Sequence, residues 1–207
     1  MELDWIPANL ILFFLLSLIG YAIFDRRWKQ FWVNLGFTKP ERKTLLLALV
    51  TGLFFSLAGI IPFMWIGHYN GENVTLTYQH FLGIGLTPFT LLAAFAWAFL
   101  HQGLPEEIFF RGFLLGQLTR KFNFVYANTI QALIFWLIHI PGYVFLWQVA
   151  GSNVERVLIV VVAIISLLMS FVLGWLRLSD KSRSLVGPVI LHTLANGFTY
   201  IIVMLIG

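Results

Sequence analysis

Cysteine is absent from the 207-residue sequence, and charged residues make up only 11% of it. The absence of cysteine excludes disulfide bonds, thiolate nucleophiles and cysteine-based metal or iron–sulfur sites. Soluble domains carry about 25% charged residues, so this chain has too few to cover a water-exposed surface. Disorder is excluded as well, because 59% of the residues are hydrophobic. The chain is therefore expected to lie in a lipid bilayer.

The hydrophobic residues form long runs that are separated by short polar loops. A helix needs ~20 apolar residues to cross the hydrocarbon core of a bilayer. We predict an all-α, polytopic bundle of about six transmembrane helices that forms a single integral-membrane domain over residues 1–207. The helix after residue 85 should kink or break at Pro105, because proline lacks a backbone N–H. The predicted spans are 5–24, 44–66 (broken near its end by Pro62), 85–118, 125–147, 157–176 and 187–206.

Lysine and arginine are concentrated in alternate loops. The loops at 25–43, 120–124 and 177–185 hold 6, 2 and 3 of them, whereas the loops at 67–84 and 147–156 hold 0 and 1. The positive-inside rule places the first set in the cytoplasm and both chain termini outside. This distribution is typical of membrane topology, so the net charge of +4 does not indicate nucleic-acid binding.

Five ionisable side chains lie inside the predicted spans: Glu106, Glu107, Arg111, His139 and His192. A charge near the bilayer centre costs ~3 kcal/mol, so such groups must pair or line water. Glu107 and Arg111 are four residues apart with the acid first, which favours an ion pair and leaves Glu106 free. Two alternatives stay open. The acidic segment could lie at the membrane interface, and each histidine could be a hydrogen-bonded packing residue.

The known intramembrane hydrolases use residues that are mostly missing here. No histidine is followed by glutamate, which excludes a zincin motif, and all three aspartates lie in loops or near the terminus. Ser166 and Ser170 lack a nucleophile motif or a membrane lysine and are interpreted as packing residues. The remaining carboxylate and imidazoles, with Asn196 one turn after His192, suit water activation beside an oxyanion pocket. The other histidines, in a polar loop or beside Pro105, are assigned solvated or structural roles: His68, His80 and His101.

Three short motifs follow one another in the second half of the chain. They are Glu106-Glu107-x-x-x-Arg111, Phe135-x-x-x-His139 and His192-x-x-x-Asn196. In these motifs and their order the chain resembles the CAAX-protease and bacteriocin-processing (Abi) family of intramembrane glutamic proteases. The family-like catalytic core covers about 85–207.

The resemblance implies a role for each motif residue. Glu106 would be the general base that activates water, and His139 would assist it. His192 and Asn196 would hold the oxyanion. Glu107 and Arg111 would brace the helix.

The geometry of straight helices conflicts with this assignment. His192 would lie only ~8 Å from the cytoplasmic end of its span, whereas Glu106 and His139 would lie ~20 Å deep. Kinks at Pro105 and near Pro141 are therefore expected to bring the three side chains level.

The leading hypothesis is an intramembrane glutamic-type endopeptidase that cuts a peptide or membrane-protein substrate in the bilayer. The resemblance implies catalysis without a metal or other cofactor, in a cavity open to the cytoplasm, and we expect a prokaryotic cell membrane as the location. A zinc ion held by Glu106, His139 and His192 is chemically possible. The alternatives are a catalytically silent scaffold or bacteriocin-immunity protein, and a proton-coupled transporter. Whether the substrate is prenylated is not defined by the sequence.

Overall fold

Helices make up nearly all of the chain that the computed structural model describes, which comprises residues 8–25, 27–69, 81 and 84–206. No strand occurs in these ranges, so the predicted all-α bundle is confirmed. The helices are α1 (Ala8–Phe24), α2 (Phe31–Leu35), α3 (Arg42–Tyr69), α4 (residues 88–118), α5 (Phe124–Leu137), α6 (Ile140–Val149), α7 (Asn153–Ser179) and α8 (Val186–Ile206), with a 3₁₀ turn at Trp28–Gln30.

Three stretches of the described chain are long and apolar enough to cross a membrane, and two further apolar helices are shorter. Apolar side chains also cover the outside of the bundle. Phe54 and Leu57 on α3, for example, are 63% and 65% exposed, as a lipid-facing surface requires. The long stretches are Arg42–Ile60, Phe124–Val149 and Asn153–Ser179, and the shorter ones are Ala8–Phe24 and Val186–Ile202. Six crossings remain the prediction from the sequence.

The helix break predicted at Pro62 does not occur. The helix α3 continues through Pro62 to Tyr69, which also shortens the polar loop predicted for 67–83. Proline is tolerated in membrane helices because neighbouring groups re-satisfy the freed carbonyls. Most of the predicted polar loop, including His80, and the side chain of His68 lie outside the described residues.

The helix α4 does not break at Pro105 but changes its winding there. The π-helical segments Phe99–Gly103 and Ile108–Leu114 flank the α-helical turn Leu104–Glu107. The N–H of Leu104 donates to the carbonyl of Phe99, five residues earlier, so the turn before Pro105 is widened. Because a wider turn relieves the clash that the proline ring makes in an α-helix, the backbone continues helically.

The three basic loops meet at one end of the bundle. Asp25 forms an ion pair with Arg120, and the Arg177 guanidinium donates to the carbonyl of Asn34 over 2.8 Å. The Thr38 hydroxyl donates to the carbonyl of Ser182 over 2.9 Å. This arrangement agrees with the prediction that all three loops lie on the same side of the membrane.

The absence of cysteine allows the predicted topology to be tested with single cysteines. Lys29→Cys, Lys121→Cys and Lys181→Cys should be protected from a membrane-impermeant maleimide in intact cells, and Asn153→Cys should be labelled. All four positions are exposed, so burial in the protein does not limit the reaction. Labelling of the first three from outside would contradict the cytoplasmic placement of the basic loops.

Candidate active site

Glu107 and Arg111 form an ion pair that is completely enclosed by the bundle. Both side chains are 0% exposed, and Arg111 Nη1 donates to Glu107 Oε1 over 2.8 Å. The sequence predicts this pair from its four-residue spacing, and the prediction is confirmed. The alternative in which these two side chains snorkel to water at the membrane interface does not fit, because neither group reaches solvent.

The same carboxylate also holds His192. His192 Nδ1 lies 2.8 Å from Glu107 Oε1, and the histidine is 3% exposed. Because a carboxylate oxygen can only accept, Nδ1 carries a proton and donates it. The opposite ring nitrogen, Nε2, lies 3.8 Å from Glu106 Oε2. Glu107 therefore orients His192 toward Glu106, a function that the sequence did not indicate.

Glu106 is buried, but its carboxylate oxygen Oε2 has no hydrogen-bond partner among the described residues. The residue is 9% exposed, and its Oε2 atom is inaccessible and has no hydrogen-bond partner in the described part of the chain. The 3.8 Å separation from His192 Nε2 is too long for a hydrogen bond. Buried acceptors without partners are uncommon and need an explanation, such as a catalytic role.

The depth conflict is resolved by the offset of two antiparallel helices. A Cβ at Gly112 would lie 3.4 Å from Leu185, so Gly112 of α4 is level with the residue before α8. From this level Glu106 is six residues back along α4 and His192 is seven residues forward along α8, which is ~9–10 Å in each case. The two side chains meet because α4 extends six residues beyond Gly112, whereas α8 begins next to it.

A close helix contact keeps α4 and α8 in this register. A Cβ at Gly103 would lie 2.5 Å from the Thr193 hydroxyl oxygen. A larger residue would require the Thr193 side chain to move, and its Cβ would also lie 3.4 Å from the Thr193 backbone nitrogen. The requirement for glycine at position 103 is therefore steric.

Arg111 is also held by residues on two other helices. Its Nη2 atom donates to the hydroxyl of Ser170 over 2.7 Å and to the Ser170 carbonyl over 3.3 Å. Its guanidinium carbon lies 4.3 Å from the centre of the Phe135 ring. The interpretation of Ser170 as a packing residue is therefore incomplete. The sequence did not predict this contact, because the residues around Ser170 do not show whether its hydroxyl packs or binds an arginine.

His139 lies in the turn between α5 and α6, where an interruption near Pro141 was predicted and is confirmed. Its Nδ1 lies 2.7 Å from the carbonyl of Phe135, so Nδ1 donates, and in the neutral ring Nε2 is left as an acceptor. The Phe135 ring centre is 4.6 Å from that of His139 and 6.0 Å from that of His192. Phe135 therefore contacts both imidazoles, but none of the hydrogen bonds between described residues joins His139 to Glu106 or His192.

Asn196 is not fixed by a hydrogen bond to any described residue, whereas His101 is packed against an aromatic ring. Asn196 follows His192 by one turn of α8, is partly buried and has no hydrogen bond with the described residues. His101 stacks on Trp97 with ring centres 3.9 Å apart. This packing agrees with the structural role expected for His101.

The described residues contain no group of three histidine or acidic side chains close enough to bind one metal ion. Glu106 and His192 are near each other, whereas no described hydrogen bond brings His139 to them. The three-ligand zinc arrangement considered from the sequence is therefore not preformed.

Comparison with known proteins identifies the family. The model of the family described as type II CAAX prenyl endopeptidase Rce1-like matches residues 88–198, which is more than half of the chain and includes all three motifs. No curated protein and no solved structure gives a match. The chain is therefore an integral membrane protein that belongs to the type II CAAX prenyl endopeptidase Rce1-like family.

Proposed function

We propose that this protein is an intramembrane endopeptidase in which Glu106 activates the attacking water. The observation that carries the proposal is that the carboxylate of Glu106 forms no hydrogen bond with the described residues, and its buried Oε2 lies 3.8 Å from His192 Nε2. Glu107 also has an unpartnered Oε2, but its Oε1 is bound to Arg111 and His192. A buried carboxylate without a partner is an available proton acceptor, and general-base catalysis needs one. The ordering of His192 by Glu107 supports this reading, because a structural glutamate would not require an oriented imidazole beside it.

The proposed reaction is hydrolysis by a single water molecule. Glu106 takes a proton from the water as its oxygen attacks the peptide carbonyl, and the resulting tetrahedral oxyanion is stabilised by hydrogen bonds. When both ring nitrogens of His192 are protonated, Nε2–H can donate to this oxyanion, and the Asn196 amide is the second proposed donor. Glu106 then returns its proton to the leaving amine, which completes cleavage. His139 is proposed to assist through its free Nε2.

An apolar cavity on the helices that carry Glu106 and His192 suggests the kind of substrate, although neither of these two residues lines it. The cavity has a volume of about 400 Å³ and opens between α4 and α8. Leu104 lines it two residues before Glu106, and Thr193 lines it directly after His192. The family is named for prenyl endopeptidases. We therefore propose that the cavity receives the apolar chain of a lipid-modified peptide.

Cleavage of a matched peptide pair tests the proposed function. Purified protein in liposomes should cut a farnesylated peptide faster than the same peptide without the farnesyl group, and a Glu106→Ala protein should cut neither. Equal rates for both peptides would refute the lipid-binding cavity but not peptidase activity. No cleavage of any membrane peptide would favour the scaffold alternative.

Catalysis is proposed not to use a metal. Peptide cleavage by the purified protein should be unchanged by 1,10-phenanthroline, because the proposed site activates water with a carboxylate. Inactivation by the chelator with recovery on adding zinc would make Glu106 a metal ligand. A non-chelating phenanthroline isomer is the control for detergent-like effects of the compound.

A further inference from the structure

A second cavity lies at the end of the bundle where the basic loops meet. It has a volume of about 380 Å³ and is lined by Tyr21 of α1, the 27–35 segment, the last turns of α4, the end of α7 and the 182–183 segment. None of the described residues that line it is acidic. Four arginines contribute to its wall: Arg27, Arg120, Arg177 and Arg183.

Nearby carboxylates neutralise part of this charge. Asp25 has a fully buried side chain that pairs with Arg27 at 2.6 Å and also with Arg120. Burial raises the pKa of Asp25, but the hydrogen bonds from Arg27 and Arg120 outweigh this effect and lower it to about 2. Asp25 is therefore ionised at neutral pH. Asp180, whose Oδ1 accepts from the Ser182 hydroxyl of the cavity wall over 2.6 Å, adds a second negative charge, but two carboxylates do not balance four guanidinium groups.

Arg177 is buried without a carboxylate partner among the described residues. It is 4% exposed and donates to three backbone carbonyls, those of Gly112 at 3.0 Å, Asn34 at 2.8 Å and Arg183 at 3.2 Å. Carbonyl oxygens satisfy its N–H groups but do not neutralise its charge. Burying an uncompensated cation is costly, so an anion in the cavity would stabilise this arrangement.

Arg183 presents its side chain to the same cavity from an unusual backbone conformation. Its φ of 57° lies in the left-handed region, which non-glycine residues rarely adopt. The carbonyl that this conformation presents accepts the Nε–H of Arg177. The Arg183 side chain is exposed and forms no ion pair with the described residues. It is therefore available to a ligand.

We propose that this arginine cavity binds a phosphate group. Guanidinium groups match the oxygens of phosphate with paired hydrogen bonds, and a cavity of this size is in the range of small-ligand sites. Trp28 and Trp32, in the segment next to the cavity, are 49% and 54% exposed, as is typical of residues at the lipid headgroup level. The headgroup of an anionic phospholipid is therefore the first source of the phosphate to test, and a soluble phosphate is the second.

Binding can be measured on the full chain in a neutral detergent. Phosphatidylglycerol, phosphatidylcholine and inorganic phosphate are added separately, with thermal stability and native mass spectrometry as the readouts. We expect phosphatidylglycerol at saturating concentration to raise the Tm by about 5 °C and to remain bound to the ionised protein. If inorganic phosphate gives the same shift and the lipid adds nothing, the site takes a soluble phosphate.

Matched variants separate this cavity from general surface charge. Arg183→Asn removes the charge but keeps a residue that tolerates the left-handed conformation, and should weaken binding about tenfold. Arg183→Lys should restore most of it. Gly116→Leu should block binding with all four arginines present, because Gly116 lines the cavity and a Cβ there would meet Arg177 at an ordinary 3.7 Å. Lys29→Gln, an exposed cation outside the cavity wall, is the control.

The phosphate-site proposal requires that the three variants differ in binding. Binding must be weakened in Arg183→Asn, blocked in Gly116→Leu and unchanged in Lys29→Gln. The proposal is overturned if neither phosphatidylglycerol nor inorganic phosphate raises the Tm. It is also overturned if Lys29→Gln weakens binding as much as Arg183→Asn, or if Gly116→Leu binds normally. These measurements do not depend on peptidase activity.

Discussion

A Glu106→Gln protein should fold normally and lose at least about a hundredfold in kcat. Glutamine keeps the volume of the side chain and can still form hydrogen bonds, but it cannot take a proton from water. No ion pair with arginine or lysine involves Glu106 in the described structure, so the substitution removes no strong structural contact. The kcat for a peptide that the wild-type protein cleaves, with the Tm measured alongside, checks both parts of this expectation.

The matched control is the same substitution at a carboxylate far from the proposed chemistry. Glu41 lies at the basic end of the bundle, where it pairs weakly with the exposed Lys181 at 3.7 Å. Glu41→Gln should change kcat by less than twofold. If Glu106→Gln keeps wild-type activity, Glu106 is not the base.

A Glu107→Gln protein should be destabilised by about 3 kcal/mol, which corresponds to a Tm roughly 10 °C lower. The substitution removes the charge that faces both Arg111 and His192, and Arg111 is 0% exposed. Arg111 would then be a buried cation whose remaining partners are Ser170 and the Phe135 ring. Activity should fall as well, because a neutral amide oxygen accepts a weaker hydrogen bond from His192 than a carboxylate does.

Thermal unfolding of the purified variants measures this effect. Glu41→Gln again serves as the control, because exposed ion pairs contribute at most about 1 kcal/mol. If Glu107→Gln is as stable as the wild type but inactive, and Glu106→Gln is active, the assignment is wrong. Glu107 would then be the base and Glu106 the structural residue.

Contacts within one helix were predictable from the sequence, whereas contacts between helices were not. The spacing of Glu107 and Arg111 was sufficient to predict their ion pair, since residues four apart lie on one face of a helix. The hydrogen bond between Glu107 and His192 joins residues 85 positions apart. No local pattern encodes it, so Glu107 could be predicted as a brace for Arg111 but not as the group that orients His192.

The relative positions of α4 and α8 along the bundle and the π-helical turns of α4 could not be predicted from the sequence either. A proline predicts the loss of one backbone hydrogen bond, but the tertiary packing decides whether the helix breaks or widens. At Pro105 it widens. Likewise, the depth of a residue counted from its own helix end ignores where neighbouring helices begin. This is why counting along straight helices puts His192 and Glu106 at different depths, although His192 Nε2 and Glu106 Oε2 lie 3.8 Å apart.

The most direct test of the central claim compares peptide termini in cells that carry the wild-type or the Glu106→Ala protein. Mass spectrometry of membrane-associated peptides should find a set of cleavage products that depends on the wild-type protein and disappears in the variant, at equal protein levels. The account predicts that these products return when wild-type protein is supplied again. Identical sets of termini in both cells would contradict the assignment of Glu106 as the base of a peptidase.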